Sequence, residues 1–255
     1  DAEINEIDFS EESAADTIND WIKKSTKGKI EKMLNPPISP DVVMYLINAV
    51  YFKGDWTEQF KKKNTFPTEF NNLNNEQQEV QMMSRKGDVN YGEGDDYKAV
   101  KLSYGEEKVS MHLILPKGND NVNDLINKLD NTKFNQIKES MQLTDEVILN
   151  IPRFKLEYGI KNLNNVLINM GMDSAFNQDA DFSKIREGLF ISRVLHKAVI
   201  EVNEEGSEAA GATVVEMNES AVMEPITFIA DRPFIFMIVD DETGTILFMG
   251  KYCRI

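Results

Sequence analysis

Apolar and polar positions along this chain follow two periods, and the switches between them mark the elements. Ala14, Ile18, Trp21 and Ile22 recur at helical spacing behind Asp8-Phe9-Ser10-Glu11-Glu12, where Ser10 serves as the cap and the acidic residues suit the positive first turn. Lys23, Lys24 and Lys27, followed by Gly28, close this helix. After Pro36, Pro37 and Pro40, residues 42–52 form an unbroken apolar run. Such a run predicts a strand buried on both faces, and a buried helix fits the same pattern. Residues 57–96 are polar, with Asn- and Gln-rich segments and scattered aromatics, and predict irregular strands and loops.

Residues 97–104 and 109–115 read as two strands about a turn at Gly105. Leu125, Leu129, Phe134, Ile137 and Met141 predict helix over 124–141, broken near Asp130. Residues 147–158 predict a strand interrupted at Pro152, residues 160–170 a helix stopped by Gly171, and 181–183 a short turn of helix. The last third holds strands over 190–202, 226–229, 234–240 and 246–252, the final two joined by the hairpin signal Asp241-Glu242-Thr243-Gly244. Strands and helices mix without regular alternation, and neither an internal repeat nor a Ser/Gly linker divides them. The expectation is one α+β domain over residues 1–255.

The connection over 204–225 is far longer than usual, and long loops of this kind are commonly functional or disordered. Its odd positions Ser207, Ala209, Gly211, Thr213, Val215 and Met217 carry no charge, while Glu208 and Glu216 fall on even positions. That is the period of a half-buried strand written into a loop. An ordinary edge strand with a ragged turn fits the same residues less well.

Composition narrows the function classes. A net charge of -15 argues against nucleic acid and anionic membranes as partners, because phosphate binding needs clustered Lys and Arg. No apolar run reaches the roughly 18 residues a membrane span needs. Cys253 is the single cysteine, so no intrachain disulfide forms, which fits a reducing compartment without excluding secretion. The two histidines, His112 and His196, lie in apolar runs and read as buried structural residues rather than catalysts. No zinc spacing, dinucleotide loop or nucleophile elbow is present, and no cofactor or metal is expected. Asp95-Asp96 and Asp240-Asp241-Glu242 read as solvated turns, and the sequon Asn218-Glu219-Ser220 reads as unmodified.

Three separated stretches together resemble the serpins, a family of protease inhibitors: Asn48-Ala49-Val50-Tyr51-Phe52-Lys53-Gly54-Asp55-Trp56; His196-Lys197-Ala198-Val199 running on to Glu204-Glu205-Gly206-Ser207-Glu208-Ala209-Ala210-Gly211-Ala212; and Ala230-Asp231-Arg232-Pro233-Phe234 with Leu247-Phe248-Met249-Gly250-Lys251. The resemblance covers the chain from first helix to last strand and corresponds to about the last two-thirds of the family's domain. It implies a large mixed or antiparallel central sheet, additional sheets, surrounding helices and a reactive-centre loop at 204–225.

The resemblance also implies a mechanism. The loop baits a serine or cysteine protease, is attacked to give an acyl-enzyme, and its upstream part then enters the central sheet as a new strand. The hinge maps to Gly206, Ser207, Glu208, Ala209, Ala210, Gly211 and Ala212. Fourteen positions counted from Ser207 place the cleaved bond at Ser220-Ala221. Glu204 and Arg153 resemble a charge pair where the loop begins, with Trp56 beside them, and Asn48 with His196 resembles a polar pair under the middle of the sheet. The expected partner is a serine protease, with no enzymatic activity in the chain itself, a monomeric state and an extracellular or cell-surface setting. Residues 206–224 hold no Lys or Arg and Ser220 is small, which favours an elastase-like or subtilisin-like target over a trypsin-like one. A non-inhibitory carrier or chaperone-like member of the family is the alternative.

Overall fold

A computed structural model describes residues 3–118, 121–206 and 225–254. In chain order the elements are α1 (Ala14–Ser25), β1 (Tyr45–Phe52), β2 (Phe66–Asn71), β3 (Gln77–Glu93), β4 (Tyr97–Tyr104), β5 (Val109–Pro116), α2 (Val122–Lys128), α3 (Asn131–Ser140), β6 (Gln142–Pro152), β7 (Phe154–Asn162), α4 (Asn164–Leu167), β8 (Arg193–Val202), β9 (Thr227–Ile229), β10 (Phe234–Asp240) and β11 (Ile246–Tyr252). Among the described residues no helix is long and apolar enough to cross a membrane. The chain divides into two compact units, Asp1–Phe52 with Lys155–Glu201 and Lys53–Phe154 with Val202–Ile255.

The first unit is built on a three-stranded sheet of order β1-β8-β7. Helix α1 supplies its apolar stripe, Ala14, Ala15, Ile18 and Ile22, to a cluster with Ile30, Met33, Leu34, Ile38, Val42, Leu195 and Val199. The buried Asn19 fastens the segment after the helix: its Oδ1 accepts from the Met33 and Leu34 amides at 2.9 and 3.0 Å, and its Nδ2 donates to the Leu34 carbonyl at 2.9 Å. The helix starts after Ser13 rather than Ser10, because Ser10 turns its amide and hydroxyl to Asp8. Gly28 ends the turn as expected, with a φ of +76° and its amide donating to the Lys23 carbonyl at 2.7 Å.

Strand β1 is not buried on both faces as the apolar run predicts. All its residues are half-buried or exposed, and Leu46 is 52% exposed. Among the described residues β1 pairs with β8 alone, so one side of it carries no neighbour. The end of this pairing is pinned by Ser192, whose Oγ accepts from the Val43 amide at 2.9 Å while its own amide donates to the Met44 carbonyl at 3.0 Å. Ser192→Ala is expected to cost about 1 kcal/mol, the net worth of one such bond, read as a lower denaturant midpoint at unchanged slope.

The second unit holds a larger sheet of order β11-β10-β5-β4-β3-β6-β9, with β2 also paired to β3. Its centre is apolar: β10 is buried from Phe234 to Val239, and α2 and α3 cover Tyr97, Ala99, Ile114, Ile235 and Met237 with Val122, Leu125, Phe134 and Ile137. Asp130 caps α3 by accepting from the Lys133 amide, which explains the predicted break. Where irregular strands and loops are expected over 57–96, strand β3 is longer and more regular than that. It runs unbroken for 17 residues through the segment read as irregular, with a register shift between Gly87 and Val89. The strand predicted over 147–158 is two strands of different sheets, β6 ending at Pro152 and β7 beginning at Phe154. Residues 160–162 belong to β7, and the helical turn follows only at 164. Residues 181 and 182 have no regular structure and 183–185 form a turn, without helix.

Candidate functional site

The described chain reaches the long loop through Asn203-Glu204-Glu205-Gly206, and in the second unit these residues are held by the segment that opens with Gly54-Asp55-Trp56. The Trp56 amide donates to the Glu205 carbonyl at 3.2 Å, the Phe60 amide to the Glu204 carbonyl at 2.9 Å, and the Trp56 indole to the Asn203 carbonyl at 2.8 Å. Trp56 is 4% exposed and stacks on Tyr104 with ring centroids 4.3 Å apart. An aromatic with a polar edge does two jobs here: its face fills the core and its N–H satisfies a backbone carbonyl. Gly206 has a φ of +75°, and a Cβ on it would meet the Trp56 amide nitrogen, the Gly54 carbonyl oxygen at 2.6 Å and the Asp55 carbonyl carbon at 2.7 Å. Only glycine fits this close approach.

Glu204 is 3% exposed, and an isolated carboxylate that deep would be costly. Two groups meet it. The Thr65 hydroxyl donates to its Oε1 at 2.7 Å, and Arg153 Nη1 lies 3.6 Å from the same oxygen. The Glu204–Arg153 proximity expected from the resemblance is therefore present as an ion pair beyond hydrogen-bond distance. Thr65 was missed. It lies in a polar segment with no periodicity, 139 positions from its partner, and no sequence signal marks it. Beside the site, a cavity of about 340 Å³ is lined by Trp56, Phe60, Arg85, Lys101 and Ser103 among others. Arg85 pairs with Glu58 and lies over the Phe60 ring at 5.6 Å. Burial lowers its pKa, and Glu58 opposes that.

In the first unit, β1 and β8 run parallel and pair directly over eight residues, Tyr45–Phe52 against residues 193–200. Asn48 and His196 are register partners, and His196 Nδ1 lies 3.1 Å from Asn48 Oδ1. His196 is half-buried and Asn48 exposed, which corrects the buried reading of this histidine. Tyr158 of β7 lies tilted to its ring at 6.5 Å. Ser207, Glu208, Ala209, Ala210, Gly211, Ala212, Ser220 and Ala221 lie outside the described residues.

A serine, a histidine and an acid do meet elsewhere. Ser110 Oγ lies 3.2 Å from His112 Nε2 and donates to Asp241 Oδ1 at 2.9 Å. The serine sits between the other two and is fully buried, whereas nucleophilic catalysis needs the histidine in the middle and the hydroxyl accessible. This is a structural network, and His112 is buried as the sequence predicts.

Strand β8 thus leads into a loop base whose backbone is held by Trp56 and Phe60 and whose Glu204 carboxylate is met by Thr65. A model of the serpin (serine protease inhibitor) family matches residues 1–255, and the chain belongs to that family. It is 39% identical over 257 residues to intracellular coagulation inhibitor 2 of Tachypleus tridentatus, covering 98% of this chain and 62% of that protein. It is 34% identical to antichymotrypsin-2 of Bombyx mori, covering 98% of this chain and 68% of the relative. The native state of the thermophilic serpin tengpin superposes with a TM-score of 0.83 at 34% identity, over 96% of this chain and 64% of that one. The fold is thus the serpin fold, and the chain spans about three-fifths of the length of the first relative.

Proposed function

We propose that this chain is part of a protease inhibitor acting as a suicide substrate, with 204–225 as the reactive-centre loop of a single serpin domain and Ser220-Ala221 as its bait bond. The observation that carries the reading is the closed seam between β1 and β8. These two strands are parallel neighbours, and a segment returning from the end of β8 would run antiparallel to both. Entry of residues 207–217 exchanges one parallel ladder for two antiparallel ones, and antiparallel pairing is the slightly more stable kind per residue. The alternation of uncharged odd positions across 207–217 supplies the face that such a strand must bury.

The roles carried by the other residues follow from that reading. Gly206 through Ala212 form the hinge, Glu204, Arg153 and Trp56 hold the place where the strand starts to enter, and Asn48 with His196 bridges the seam that must open. Two relatives are named for coagulation inhibition and antichymotrypsin activity, which supports a serine protease as partner. The absence of Lys and Arg from 206–224 and the small Ser220 favour an elastase-like or subtilisin-like enzyme. The relatives' names do not single out an extracellular setting, since one is called intracellular.

The test is incubation of the intact protein with elastase, subtilisin and chymotrypsin, followed by a denaturing gel and a melt of the cleaved form. A detergent-resistant complex and a large gain in thermal stability on cleavage are expected with elastase or subtilisin. A complex with chymotrypsin alone would move the bait bond to Met217 or Met223. Cleavage with neither effect would favour the non-inhibitory carrier or chaperone-like reading. Ala209→Arg and Gly211→Pro are each expected to leave cleavage intact and abolish the complex, because they put a charge or a missing N–H into the entering strand. Retained inhibition by both would overturn insertion.

A further inference from the structure

We infer that the Thr65 hydroxyl, rather than Arg153, is the principal clamp on Glu204 and so regulates release of the loop base. The functional consequence rests on the inhibitory reading above, but the clamp itself does not. The carboxylate of Glu204 is almost fully buried, so its ordering depends on groups that reach it directly. Thr65 Oγ1 does so at 2.7 Å, in the range of strong bonds to an ionised acceptor. Arg153 stands at 3.6 Å with a side chain 51% exposed, where solvent and salt weaken the attraction.

Thr65 is also the better anchored of the two. Its amide donates to the Lys62 carbonyl at 3.1 Å, closing a helical turn over Lys62–Asn64, and the next residue begins β2, which is paired to β3 from Phe66 onward. The donors to the backbone of 203–205, Trp56 and Phe60, lie on the same segment. One arm therefore grips both the backbone and the side chain of the loop base. Without the hydroxyl, a buried carboxylate keeps only a distant, half-exposed cation, and hydrating it requires the 203–206 stretch to lift off the arm.

Amide hydrogen exchange at Trp56 and Phe60 in the intact protein reads that lifting without any protease. Thr65→Val is expected to speed exchange at both amides by about tenfold or more, the equivalent of one charge-assisted bond. Thr65→Ser is expected to exchange as the wild type does, and Arg153→Gln to stay within about threefold of it, as an exposed pair should. An Arg153→Gln effect as large as that of Thr65→Val, or failure of serine to restore protection, would overturn the clamp. Should Thr65→Val not fold, Glu204→Gln decides: its amide oxygen still accepts from Thr65 but no longer pairs with Arg153. Near-wild-type exchange then supports the clamp, and a rise of about tenfold overturns it. A wild-type protein that traps no protease would sink the inhibitory reading and leave the clamp on Glu204 intact.

Discussion

Replacing Gly206 by alanine should destabilise the protein by about 3 kcal/mol or more, with the damage centred where the long loop begins. Two costs add at this position. A left-handed backbone, with φ at +75°, costs a residue bearing a Cβ about 1–2 kcal/mol. The Cβ also has nowhere to go, since the atoms it meets are backbone of Gly54, Asp55 and Trp56 rather than the end of a yielding side chain. Relief requires residues 203–206 to move away from that backbone, which breaks the Trp56 amide bond to the Glu205 carbonyl and the indole bond to the Asn203 carbonyl. Gly28 is the internal control. Its φ of +76° is nearly the same, but a Cβ there meets nothing within 4 Å, so Gly28→Ala should cost only the conformational part. Urea unfolding of both variants, with amide exchange at Trp56, separates the two costs. Equal destabilisation by the two substitutions would show that the close approach at Gly206 contributes nothing.

That contrast also shows what a sequence can and cannot disclose. Both glycines are visible as glycines, but only three-dimensional neighbours distinguish a helix stop from a close contact between segments about 150 positions apart. The central strands were legible because burial forces their composition: β10 is apolar at every position from Phe234 to Val239, as a strand covered on both faces must be. Strand β3 was not, because its buried residues, among them Val80, Met82, Met83, Val89 and Tyr91, are interspersed with half-buried polar residues and with Gln77, Glu79, Lys86, Asp88 and Glu93 at its exposed positions. The interrupted register at Gly87 hides what period remains. In β7 the run after Leu156 is exposed and shows no alternation, and residues 160–162 lead directly into the helical turn at 164, so the sequence carries no mark of the boundary between them. At the candidate site, Trp56, Glu204 and Arg153 came from the resemblance, not from any pattern in the residues. Thr65 came from neither, since a hydroxyl that satisfies a distant carboxylate leaves no periodic trace.

Acidification should weaken the second unit well before its carboxylates are protonated, and His112 is the cause. The imidazole is 2% exposed, and burial pushes its pKa down to about 4, with Lys101 and Lys138 adding to the effect and Asp241 opposing it. The hydrogen bonds give the same answer. The Ser110 hydroxyl donates its one proton to Asp241, so it accepts from His112 Nε2, which leaves the proton of the neutral ring on Nε2. Protonation would place a second N–H on Nδ1, which is buried and has no partner among the described residues, while Lys101 occupies the register position opposite on β4. The sign follows directly. An unfolded histidine takes its proton near pH 6.5 and the folded one only near 4, so in that window the unfolded chain binds more protons and stability falls as pH falls. The full contribution is present above 6.5 and is lost toward 4, a change of about 3 kcal/mol. Below that range carboxylates such as Asp96 add to the loss. Burial disfavours its charge, but Lys133 at 2.7 Å and Lys128 outweigh it and hold its pKa below the usual value. Urea midpoints measured at half-unit steps from pH 7 to 4 should therefore slope downward from the neutral end in the wild type. In His112→Gln, whose amide still donates toward Ser110 but does not titrate, the curve should stay flat until the carboxylates take over. Parallel slopes in the two proteins would remove His112 as the source of the acid sensitivity.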